Sequence, residues 1–140
     1  MYLNSTGLAA GLAAFLGIWF GHVVVRAVER RSASIHLPAV AFLLAGLLLV
    51  AGAVLAPQPP LSAALGILGV TAAWDTLEFF RQQRRVKRGH APANPSNPRH
   101  RRILAEYPDA TTLDLLDRQP LGHPITPEQA LASGEPQEAA

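Results

Sequence analysis

The sequence predicts an all-α integral membrane protein, a three-helix bundle followed by a mostly irregular cytoplasmic C-terminal tail. Three observations carry this expectation. Apolar residues are concentrated in the first part of the 140-residue chain, where a soluble domain would distribute them along its length. That part contains three runs without a charged residue, 7–25, 37–56 and 61–74, each near the ~20 residues a helix needs to cross ~30 Å of hydrocarbon. The bases lie mostly between Arg81 and Arg102 and acids dominate after Glu106, so the formal net charge of +2 averages two opposite segments.

The elements follow in order. A lipid core offers no partner for free backbone N–H and C=O groups, and runs this long show little strand alternation, so all three read as helices. The first is expected over about residues 5–28; no Lys or Arg precedes Arg26, so the run lacks the basic flank of a cleaved signal peptide and reads as a retained span. The second is expected over 36–56 and is stopped by Pro57, Pro59 and Pro60, which set a tight turn. The third is expected over 61–88, with an apolar extension to Phe80 broken only by Asp75 and Glu78. Arg26, Arg30 and Arg31 follow the first span, many bases follow the third, and none lies before the first or in the APQPP turn. Positive residues stay in the cytoplasm, so the N-terminus is expected outside and the C-terminus inside.

The chain thus divides into a transmembrane domain, 1–90, and a Pro-rich linker with cytoplasmic tail, 91–140. In APANPSNP the recurring prolines remove helix donors, so an extended linker is expected. Two short stretches further on have helical character, ATTLDLLDR and TPEQALAS, the second with a capping-box pattern at Thr126 and Gln129. Neither is long enough to fold alone, so the tail is expected to be flexible or docked on something else.

Small residues recur at spacings that let helix backbones approach closely: Gly7 with Gly11, Gly17 with Gly21, Ser62 with Gly66, and Gly69 with Ala73. They are expected to pack the three helices together, or to serve self-association or docking onto a larger membrane protein. At ~1.5 Å rise per residue, His22 and Glu78 both fall towards the cytoplasmic face. A polar layer is expected there from His22, Arg26, Glu29, Asp75, Glu78, Arg81 and Gln82, with Glu78 one turn from Arg81 and Gln82 and so able to pair within its own helix. Trp19 and Trp74 fall just above that layer, as interfacial anchors do. The run Arg81, Arg84, Arg85, Lys87, Arg88 lacks interleaved aromatics for nucleic acid and reads as a juxtamembrane patch for anionic lipid headgroups.

Little points to catalysis. There is no cysteine, hence no thiolate nucleophile, disulfide or Cys-ligated metal. His22, His36, His90, His100 and His123 are scattered, with no HExxH, Gly-rich phosphate loop or G-x-S-x-G elbow. No catalytic, cofactor or metal site is expected.

The residues Trp74-Asp75-Thr76-Leu77-Glu78, Gln82, Arg85-Val86-Lys87-Arg88-Gly89, Pro92 and Asn94-Pro95 resemble the C-terminal signature of the small bacterial membrane proteins of the domain of unknown function 4491 family, W-S-x-x-E, Gln, R-V-x-K-G and P-x-N-P. Upstream, His22 and Glu29 occupy the places of a His and an acid that follow that family's Gly-rich first helix. The sequence departs from the pattern in having Val23 after His22, Arg26 displaced by one position, and His90-Ala91 after Gly89. The resemblance covers about residues 7–95 and implies a three-helix inner-membrane protein with no assigned activity. The function expected from the residues is a non-catalytic accessory or structural subunit that binds a larger membrane protein. The alternative is a homo-oligomeric conductor of ions or small solutes that uses Glu78 and His22. Against that alternative, the second helix has no polar residue between Ala39 and Ala56, and Thr71 is almost the only one at mid-membrane in the others.

Overall fold

Each long helix begins and ends on a local chemical signal. A computed structural model describes residues 4–114. Helix α1 (Ser5–Arg31) starts at Asn4, whose Oδ1 accepts the Gly7 N–H at 2.9 Å, and carries Arg30 and Arg31 in its last turn, where cations suit the helix dipole. Helix α2 (His36–Leu55) follows a short turn and stops before Pro57. Helix α3 (Pro59–Lys87) opens with prolines in its first two positions, where their missing N–H groups cost nothing. All three are long and apolar enough to cross a membrane, and the protein is a membrane protein. At ~1.5 Å per residue α2 matches the hydrocarbon thickness, whereas α1 and α3 overrun it by two turns or more.

The overrun lies at one end. The chain turns from α2 to α3 at the apolar end, so the excess length of α1 and α3 emerges together at the polar end. Helix α3 runs between the other two and packs along both, while α1 and α2 make little contact with each other.

The α2–α3 seam is built from small residues. Ala39, Gly46 and Ala53, the buried residues of α2, recur every seven positions, the spacing that keeps one seam on a partner helix. A Cβ on Gly69 would lie 2.8 Å from the Gly46 carbonyl oxygen, and one on Gly46 would lie 2.7 Å from that of Gly69. The backbones touch there, as small residues permit in lipid. Hydroxyls fasten both ends of the seam: Ser62 Oγ donates to the Ala53 carbonyl at 2.8 Å and Thr76 Oγ1 to that of Ala39 at 3.2 Å. At the polar end Val25, Ala39 and Phe79 bring all three helices into one apolar cluster, with Phe42 edge-on to Phe79 at 5.2 Å between ring centroids.

The segment after α3 departs from the expected extended linker. Gly89, at φ 68°, ends α3 in a Schellman motif: its N–H donates to the Val86 carbonyl at 3.2 Å and the next N–H, of His90, to that of Arg85 at 2.8 Å. The chain then doubles back into a short helix, α4 (Pro98–Glu106), capped by Asn97, whose side-chain oxygen accepts the Arg99 N–H at 2.9 Å. Val86 packs with Ala91, Ala93 and Ile103, and Leu104, Tyr107 and Ala110 close over them. The Ala93 N–H donates to the Thr111 carbonyl, and Lys87 reaches the Tyr107 hydroxyl at 2.8 Å. Residues 91–111 therefore form a small cap that borrows its apolar floor from α3, which is why a nine-residue helix persists. The start of ATTLDLLDR, up to Asp114, is not helical; the rest of that stretch, TPEQALAS and His123 lie outside the described residues.

Candidate functional site

The polar end holds two adjoining arrangements, a clasp and a cleft. The clasp closes the C-terminus of α1, whose last carbonyls have no partner within the helix. Asn94 and Asn97 each donate from Nδ2 to the Arg30 carbonyl at 3.1 Å, and Asn97 donates also to that of Ser32 at 3.0 Å. Arg99 donates from Nε to the Ser32 carbonyl at 3.2 Å, from Nη2 to the Glu29 carbonyl, and from Nη1 to Glu29 Oε1 at 2.9 Å. His100 completes the set: the Asn94 N–H donates to its Nδ1 at 2.8 Å, which places the ring proton on Nε2, 3.1 Å from Glu29 Oε1. Glu29 and His100 are 1% and 0% exposed. A carboxylate so buried stands only because a guanidinium and an imidazole N–H answer it.

The sequence places Glu29 in a layer with α3; in the structure it faces α3 across the adjoining cleft, and its direct partners are seventy positions downstream. The sequence leaves Asn97, Arg99 and His100 in an irregular linker and tail. The available signal was Asn97-Pro98, an N-cap followed by Pro at the first helical position.

The cleft, of ≈ 670 Å³, lies between the polar ends of α1 and α3 and is closed below by residues 90–92. His22, Arg26, Glu29 and Arg30 of α1 face Glu78, Gln82 and Arg85 of α3 across it, and His90 and Asp114 complete its polar lining. Glu78 is buried and pairs with Arg81 at 2.7 Å and Arg85 at 3.6 Å; Gln82, buried beside it, accepts from Arg85 at 3.1 Å. Asp75 is buried one turn closer to mid-membrane, against Gly21, where a Cβ would collide with its Oδ2. His22 and Arg26 are exposed.

The remaining expected residues fall as follows. Gly17 faces Leu68 and Thr71 across the α1–α3 contact, and Gly66 meets Ala53 at ordinary distance. Gly7 has the side chain of Asn4 nearest to it, and Gly11 has nothing within 4 Å among the described residues. Gly46, which no short-range pattern flagged, takes the tightest contact with Gly69, while Ala73 packs against it. Trp19 and Trp74 are exposed on the outer surface, and the Arg81 guanidinium lies 5.1 Å from the Trp74 ring centroid. Of the basic run all but Lys87 are exposed; Lys87 lies over the Tyr107 ring, and Arg81 and Arg85, though exposed, answer Glu78. Among the described residues no group of three or more His, Asp or Glu is placed to hold a metal ion. Thr71, at mid-membrane, spends its hydroxyl on the Ile67 carbonyl of its own helix at 2.8 Å.

Fold and site together define a helical membrane protein with three candidate spans and a folded cap fastened to the first of them. The chain belongs to the family described as Domain of unknown function (DUF4491), which matches residues 4–97. The match includes Glu29, Gly89, Asn94 and Asn97 and stops just short of Arg99 and His100. No curated protein and no solved structure matches the chain.

Proposed function

We propose that the protein is a non-catalytic accessory or structural subunit that binds a larger membrane protein in the inner membrane of a bacterium, with its N-terminus outside and its cap in the cytoplasm. The observation that carries this reading is the outer half of α1. Leu8, Gly11, Leu12 and Phe15 share one exposed face, and at its middle a Cβ on Gly11 would meet open space. In lipid a bare glycine on an outward face gains nothing against acyl chains but lets another helix approach closely. The orientation is supported by the bases, which lie in the last turns of α1 and α3 and beyond them and avoid the opposite end. The non-catalytic reading is supported by Glu29 and His100, which resemble an acid–base pair but are held by the clasp, with His100 fully buried and outside the lining of the cleft.

The test is chemical crosslinking in native membranes followed by purification, with Gly11→Leu as comparator. The proposal expects a defined crosslinked species that the variant loses while its thermal unfolding stays near that of the wild type. Recovery of monomer alone from the wild type would contradict it.

A second reading, a homo-oligomeric conductor, is favoured by one observation: His22 and Glu78 line the same cleft. Flux into liposomes that disappears in Glu78→Gln would establish it, and flux unchanged by that substitution would remove Glu78 from any conduction role.

A further inference from the structure

We propose that the cleft between α1 and α3 is a binding site for a phosphate ester, the chemistry of an anionic lipid headgroup. Its volume, ≈ 670 Å³, suits a group of that size. Arg26 and Arg30 are one turn apart on the same face of α1 and both line the cleft, opposite Arg85 of α3, with His90 at its base. Among the described residues neither Arg26 nor Arg30 forms an ion pair. Of the two buried carboxylates in the wall, Glu29 is answered from behind by Arg99 at 2.9 Å and Glu78 by Arg81 at 2.7 Å, neither of which lines the cleft, and Glu78 also by Arg85 at 3.6 Å. Arg26 and Arg30 are therefore not consumed by Glu29 or Glu78, while Arg85 is shared with Glu78 and Asp114 adds one carboxylate to the lining.

Two further features favour an anion there. The C-terminus of a helix ordinarily repels negative charge, but the last carbonyls of α1 are covered by the N–H groups of Asn94, Asn97 and Arg99. Depth also fits: Arg26 lies about 32 Å along α1 from Ser5, just beyond the hydrocarbon and within the headgroup layer. Guanidinium groups from two helices converging on one space match the forked, multi-oxygen geometry of a phosphate, which an ammonium or a neutral headgroup would not exploit. This differs from general attraction by the exposed bases Arg84 and Arg88, which lie outside the cleft, and it does not depend on whether α1 binds a partner.

The experiment is native mass spectrometry of the full-length protein released from detergent carrying phosphatidylglycerol or phosphatidylcholine, with and without inorganic phosphate. Two charge-matched double variants are compared, Arg26→Gln with Arg30→Gln and Arg84→Gln with Arg88→Gln, and circular dichroism melting checks that each folds. The site predicts retention of phosphatidylglycerol over phosphatidylcholine, reduced roughly tenfold or more by the first pair and little changed by the second. Retention unaffected by inorganic phosphate assigns the ligand to the lipid; displacement by inorganic phosphate, again dependent on Arg26 and Arg30, assigns it to a soluble phosphate in the same site. Equal losses in the two pairs, or no loss in the first, would overturn the proposal.

Discussion

The membrane-buried seam between α2 and α3 and the clasp at the polar end of α1 solve the same problem, holding two segments together, in opposite ways. In the seam the partners are next to each other in the chain, the contacts are Gly46 on Gly69 and the hydroxyls of Ser62 and Thr76, and almost nothing charged takes part. In the clasp the partners are some seventy positions apart, and nearly every contact is a donor answering a carbonyl or the Glu29 carboxylate. Lipid gives no hydrophobic reward for bringing apolar faces together, so close backbone packing does the work there. Past the headgroups α1 ends with unpaired carbonyls, and polar side chains satisfy them together with a charge that burial would otherwise make costly.

Substitutions sharpen this contrast, and the largest effect is expected in the clasp. Arg99→Met leaves the Glu29 carboxylate buried with only the His100 N–H, a loss of about 3–5 kcal/mol; limited proteolysis between residues 90 and 111 should then become fast. Pairing it with Glu29→Leu should restore much of the loss, because the stranded charge goes with its partner, and strict additivity of the two changes would argue against the clasp. In the seam, Gly69→Ala forces a Cβ to within 2.8 Å of the Gly46 carbonyl oxygen and should lower stability by about 1–3 kcal/mol in thermal unfolding, without exposing the cap to protease. Gly89→Ala should cost about 1–2 kcal/mol for its left-handed backbone, and more because the new Cβ meets the Asp109 carbonyl. It should expose the cap and leave the seam intact. Ser62→Ala, which removes one hydroxyl donor within the bilayer, should cost about 0.6 kcal/mol, detectable as a small shift in the same unfolding measurement.

The spans were legible in the sequence because lipid leaves few options: residues 7–25, 37–56 and 61–74 carry no charge, and the helices found enclose all but residue 56 of them. Pro59 and Pro60 read as a stop for α2, and they prove also to be the opening residues of α3. Gly46 escaped because its signal is the seven-residue spacing Ala39, Gly46, Ala53 and not a pair four apart. The polar end was legible in membership more than in connection. His22, Glu78 and Gln82 do share a region, and Glu78 does pair with Arg81, because three residues along one helix set that geometry. The bond from Glu29 to Arg99 and His100 was not legible, since no local spacing links positions so far apart. Asn94-Pro95 and Asn97-Pro98 were read for their prolines, which argue against helix, and not for their asparagines, whose amides reach back to α1.

The central claim is that residues 91–111 are a folded cap tied to the end of α1. Hydrogen–deuterium exchange of the full-length protein in lipid nanodiscs tests it most directly. The account predicts slow exchange for the amides late in α4 and for the Ala93 N–H, with that protection lost in Arg99→Met while the α2–α3 seam stays protected. Exchange across residues 91–111 as fast as in an unstructured peptide, or unchanged by Arg99→Met, would contradict it.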